Sequence, residues 1–126
     1  MPLINIHLIE GKDSAYLQRL GDTVHQTLID TWNIPFDDRF HIIHEHKPSH
    51  FQIDKKMWGV NRTDDTILLH IISSPRTTEM KLNFYKKLSE NLKDTLKIKG
   101  DDIFINIVTS QVEDWSFANG EAQLMA

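Results

Sequence analysis

The chain has 126 residues, 40% of them hydrophobic and 25% charged, with a net charge of −4 and no cysteine. That length supports one core rather than two ordinary ones, and the acidic balance argues against a general nucleic-acid binder, which carries a basic face. Without cysteine there are no disulfides, zinc–thiolate centres or thiol nucleophiles; with no apolar run of bilayer length and no basic-then-apolar leader, the expectation is a single cytoplasmic domain, residues 1–126, with no membrane contact.

A proline stands second, and the apolar stretch Leu3–Ile9 follows it as a first strand. Leu20, Val24, Leu28 and Trp32 recur four apart, one stripe of a helix that Asp13 or Ser14 can cap. A second strand is expected over Arg39–His46. Its histidines, with His50, suggest a metal cluster, but His44 and His46 share one face and Glu45 takes the other. No helical His-x-x-x-His accompanies them, so the reading is an amphipathic strand, with no metal and no cofactor. Ile67–Ile72 is almost continuously apolar, as a strand buried on both faces is. Thr77 or Thr78 can cap a second helix striped by Phe84, Leu88, Leu92 and Leu96, and a fourth strand covers Ile103–Val108. The remaining tail reads as neither helix nor strand.

The chain repeats itself at a shift of 64 residues (28 to 92). LIDTWNIPFDDRFHII, starting at Leu28, aligns without a gap to LKDTLKIKGDDIFINI, starting at Leu92. Both helical stripes and both flanking strands fall in the same register. Each half, about 2–62 and 66–126, therefore reads β-α-β, and a right-handed crossover makes its two strands parallel. Two such halves pair about a pseudo-twofold axis into a four-stranded sheet with both helices on one face, an α/β (α+β by some schemes) tandem β-α-β fold. Under that symmetry the first strands of the halves run antiparallel, and the end of the third strand meets the start of the first. Ser74, Pro75 and Arg76 should then approach Pro2.

Removal of Met1, which a small second residue permits, leaves Pro2 as a free secondary amine. Apolar surroundings make such an amine a base; an anion-rich setting keeps it cationic and makes it an acid. Proline in second position is common and signifies nothing alone. Here it comes with PLINIHLIEG, the repeat and an arginine after the third strand, and together these resemble the tautomerase superfamily. The stretches EHKPS at 45–49, PRT at 75–77, EDWSF at 113–117 and GEAQ at 120–123 are similar to its malonate semialdehyde decarboxylase branch.

That resemblance implies a homotrimer acting on a small carboxylate-bearing substrate. It makes Pro2 the catalytic amine, Asp38 the acidic partner that assists the amine or a water, and Arg76 the carboxylate binder. Trp115 and Phe117 would wall the pocket, with Leu124 where the branch often has an aromatic residue. The chain departs from the branch at Ser74, where a second arginine is usual, which weakens carboxylate binding and polarisation. The residues have plainer readings too. Asp37-Asp38 recurs as Asp101-Asp102, so the pair can be a turn entering each strand. Arg76 can be a solvated cation, its counterpart being Lys12. Trp115 and Phe117 can fix the tail to a neighbouring subunit.

Three functions compete: decarboxylation of a 3-oxo acid by cationic Pro2, keto–enol tautomerisation (or hydration of an unsaturated acid) with Pro2 as proton shuttle, and a non-catalytic trimeric module. Ser74 favours the second; the branch motifs tilt the balance to the first.

Overall fold

The computed structural model describes every residue from Met1 to Ala126. The chain runs β1 (Pro2–Ile9), α1 (Ser14–Trp32), β2 (His41–His46), β3 (Ile67–Ser73), α2 (Thr78–Leu96) and β4 (Ile103–Thr109), with short 3-10 turns in the later loops and in the tail. The sheet order is β2-β1-β3-β4, parallel within each half and antiparallel where β1 meets β3. This is the architecture that the repeat predicts.

Alternation along β1 and β3 sends Ile4, Ile6 and Leu8, and Ile67, Leu69 and Ile71, onto one buried face. The helical stripes close over them, with Leu20, Val24, Leu28 and Trp32 from α1 and Phe84, Leu88 and Leu92 from α2 all buried. Leu96, at the end of the second stripe, is only partly buried. Asp13 accepts from the Tyr16 N–H at 2.8 Å and Thr77 from the Met80 N–H at 3.1 Å, so the first candidate of each capping pair is the cap. The helices end alike, in left-handed Asn33 (φ 55°) and Lys97 (φ 59°), which are partners at the repeat shift.

Two details differ from the sequence reading. β2 begins at His41 rather than Arg39, because residues 35–38 close a turn (Asp38 N–H to the Pro35 carbonyl, 3.0 Å) and the ladder starts on the Phe40 carbonyl, which accepts from Ile4 at 2.9 Å. The apolar β3 is buried on one face only within the chain. Leu68, His70 and Ile72 share the other, open face with the exposed side chains of Ile42, Phe104 and Val108.

The tail is ordered by local chemistry. Asn119 and Gly120, at φ 60° and 67°, form a tight turn between Ala118 and Glu121, the dipeptide that such turns favour. The Gln123 amide fixes that turn, accepting from the Phe117 N–H and donating to the Ala118 carbonyl, each at 2.9 Å.

Candidate active site

The antiparallel register sets Pro2 opposite Ser73, so the end of β3 delivers Ser74 and Arg76 to the start of β1. The N-terminal ammonium, carried here by Met1, donates to Ser74 Oγ at 3.3 Å and lies 3.9 Å from Asp38 Oδ2. The Ser74 N–H bonds the Met1 carbonyl at 3.4 Å. Loss of Met1 transfers the free amine to Pro2, one residue further into the sheet. Burial, then Arg76, hold the Met1 amine below its ordinary value near 8, with Asp38 opposing them.

Arg76 is half-buried. Its Nε donates to Ser73 Oγ at 3.3 Å, its guanidinium stacks 5.1 Å over the Trp32 ring, and it makes no ion pair within the chain. The terminal nitrogens therefore remain available as a fork that matches a carboxylate. Burial lowers the Arg76 pKa and Asp38 opposes that shift, but an arginine stays protonated.

The repeat separates the two aspartate pairs. Asp102 is a turn residue: it accepts from the Thr63 N–H and Oγ1, both at 2.7 Å, and from Thr66 Oγ1 at 3.0 Å. Asp38 occupies the equivalent place in the first half and is also buried, yet Oδ1 has no partner and Oδ2 faces the amine. A buried carboxylate oxygen without a donor is costly, and in native structures it calls for an explanation.

Two clefts meet at Met1 and Phe40. One, about 500 Å³, is largely apolar and takes in Pro2, Leu3, Ile72, Trp115 and Phe117. The other, about 460 Å³, is bounded by Asp38, Arg76 and Leu124. Trp115 stacks on Phe117 at 5.7 Å, and Phe117 on Phe40 at 6.5 Å. The indole N–H of Trp115 donates to Ser110 Oγ at 2.8 Å, and the Ser110 N–H to the Ser73 carbonyl at 2.8 Å, which ties the aromatic wall to the end of β3. All seven residues singled out in the sequence thus come together around the N-terminus. Phe40, Ser73 and Trp32 join them without having been foreseen. Phe40 alone had a local signal, its position two residues beyond Asp38.

The histidines of β2 lie elsewhere. His44 and His46 do share a face, where they stack on His7 at 4.3 and 5.1 Å, and no group of three histidine or acidic side chains is arranged to hold a metal. His41 points to the helix face, where burial, Arg39 and His25 push its pKa down to about 4.

An amine at the head of a tandem β-α-β sheet, flanked by an acid, an arginine without an ion pair and an aromatic wall, is an arrangement that comparison with known proteins can place. Two family models described as tautomerase enzyme match residues 38–118 and 2–61. Probable tautomerase YusQ of Bacillus subtilis (strain 168) is 38% identical over 126 residues, 99% of each chain. Probable tautomerase YrdN of the same organism is 38% identical over 99% of this chain and 97% of its own. The chain belongs to the tautomerase family. Among solved structures, a malonate semialdehyde decarboxylase described in terms of decarboxylase and hydratase activities superposes with a TM-score of 0.93 at 31% identity, covering 98% of this chain and 95% of that one. A fused 4-OT described as a symmetric trimer shares the fold at 19% identity, with a TM-score of 0.78 and 98% of each chain covered.

Proposed function

We propose that the protein, once Met1 is removed, is a keto–enol tautomerase of small 2-oxo acids with an apolar substituent, phenylpyruvate being the test case. The observation that carries this reading is the setting of Pro2, which lines the apolar cleft with Trp115 and Phe117 while Arg76 borders the adjoining one; apolar surroundings and a nearby cation favour the neutral, basic amine against Asp38. Arg76 takes the substrate carboxylate, and the apolar cleft of Trp115, Phe117 and Phe40 takes the substituent. The neutral Pro2 nitrogen accepts the enol O–H proton as the carbonyl forms, and the resulting ammonium returns a proton to C3. Proton count and amine are restored at the end of the cycle.

Decarboxylation of malonate semialdehyde is the second reading, and two observations favour it: Asp38 beside the N-terminus, an anion that would favour a cationic amine, and the similarity to that enzyme. The cationic amine would then hydrogen-bond the carbonyl and stabilise the developing enolate. Ser74 supplies no second cation, so this reaction should be slow and limited by KM.

The two are separated by kcat/KM against pH on enol-phenylpyruvate and on malonate semialdehyde, with protein whose intact mass shows loss of Met1. The first reading expects enol turnover that rises with pH through an amine pKa below 8. Decarboxylation that falls on the alkaline side, with no enol turnover, would transfer the assignment to the second. Neither activity from correctly processed protein would leave the non-catalytic module. The open sheet face and the family both support a homotrimer.

A further inference from the structure

We propose that His25, in the middle of α1, is a positioning residue for Asp38. This inference rests on the proposed role of the Pro2 amine.

His25 is 3% exposed, and its Nε2 lies 2.7 Å from the Phe36 carbonyl oxygen. A carbonyl can only accept, so Nε2 carries the proton. Nδ1 is buried without a partner, and the ring is packed by Phe36 and His41, each with centroids 5.8 Å away. The bond therefore fixes one tautomer and one ring orientation.

The segment it holds is the one that delivers Asp38. Ile34 anchors the segment in the core, and the Asp38 N–H closes back onto Pro35. Phe36, between them, is 81% exposed and only rests its ring against His25, so burial in the core does not fix its peptide. The His25 bond does that instead.

The repeat supplies the control. The same turn closes in the second half, from the Asp102 N–H to the Lys99 carbonyl, also at 3.0 Å. There Gly100 replaces Phe36 and Ser89 replaces His25. Asp102 needs no such support, because Thr63 and Thr66 clamp its carboxylate from across the loop. Hydroxyl donors of that kind would occupy the lone pairs that Asp38 presents to the amine. Fixing the backbone through His25 holds the acid in place while leaving its Oδ1 unpartnered. The first half thus places its aspartate through the main chain, the second through the side chain.

The test uses the processed protein labelled with 15N-proline, in wild type, His25→Leu and His25→Gln. The Pro2 amine is titrated by NMR, a readout that does not depend on substrate. At the N-terminus as Met1 carries it, burial and then Arg76 lower the amine's pKa and Asp38 raises it; Arg76 and Asp38 border the cleft at the same end of β1, so they are the charges that face the Pro2 amine. In His25→Leu the Phe36 peptide is released and Asp38 withdraws, so the amine should titrate at lower pH. The rise of kcat/KM with pH on enol-phenylpyruvate should move to lower pH with it. His25→Gln, whose amide N–H can reach the same carbonyl, should return the titration toward wild type. An amine that titrates in a folded His25→Leu as in wild type would overturn the proposal. So would an imidazole 15N spectrum of the wild type showing the Nδ1–H tautomer, and that spectrum decides the matter if His25→Leu does not fold. A shifted amine in a protein that turns over neither substrate would sustain the positioning role and remove the tautomerase reading.

Discussion

The guanidinium of Arg76 is fixed at Nε by Ser73 and against the face of Trp32, with its terminal nitrogens unpaired. A charged bidentate contact is worth about 1.5–3 kcal/mol, so Arg76→Ala should raise KM for 2-oxo acids by roughly one to two orders of magnitude. Arg76→Lys keeps the charge but loses the fork and the stacking, and should recover only part of that loss. Steady-state kinetics on both variants check this; a KM unchanged in Arg76→Ala would remove the carboxylate assignment. Arg76 could be placed beside Pro2 from the sequence, because antiparallel pairing of the two first strands dictates it. For Asp38 the resemblance implies an acidic partner, but the residues alone leave a turn aspartate equally open, since Asp-Asp occurs in both halves. Only the donors around Asp102, and their absence around Asp38, tell the two apart. Ser73 and Trp32 support Arg76 through contacts between distant segments, which no local pattern encodes.

At the scale of elements, strands, helices and sheet order follow from apolar periodicity and one internal repeat. The start of β2 and the form of the tail did not, because turn hydrogen bonds rather than burial decide them. The Asn119-Gly120 dipeptide is the one local turn signal in that tail. The helix ends offer a test. Asn33 and Lys97 both adopt the left-handed conformation, which asparagine takes at little cost and lysine only with steric strain. Lys97→Gly removes the strain at the cap and gives back a little through a more flexible unfolded chain. The net expectation is a gain of about 0.5–1 kcal/mol, read as a higher urea midpoint at unchanged slope. Asn33→Gly should gain less. Equal effects at both caps would show that residue type is not what strains Lys97.

For the whole molecule the question is what covers the open face of the sheet. Leu68, Ile72, Ile42, Phe104 and Val108 lie on it beside the stacked imidazoles of His7, His44 and His46. Two helices cover only the other face, so further copies of the chain are the natural cover, and light scattering at neutral pH should report a trimer. Acid should then act twice. Burial lowers the pKa of His7, as do His44, His46 and His70, and burial first, then Arg39 and His25, lowers that of His41 to about 4. A histidine whose folded pKa is depressed binds its proton more readily when unfolded, so its stability contribution is complete above the unfolded value near 6.5. That contribution is lost as pH falls from there toward the folded value. For His41 the window is about 6.5 down to 4, and with partial exposure taken into account the loss is about 1–2 kcal/mol. It acts inside the chain, so His41→Gln should flatten the pH dependence of Tm equally at all protein concentrations. The His7 cluster sits on the face assigned to the neighbouring copies. Its share of the acid loss should therefore grow on dilution and appear as dissociation before unfolding, and His7→Gln should suppress it. Sedimentation and thermal melts between pH 7.5 and 4.5, at two protein concentrations, separate the two effects. An acid loss independent of concentration would place the imidazole stack outside any subunit contact.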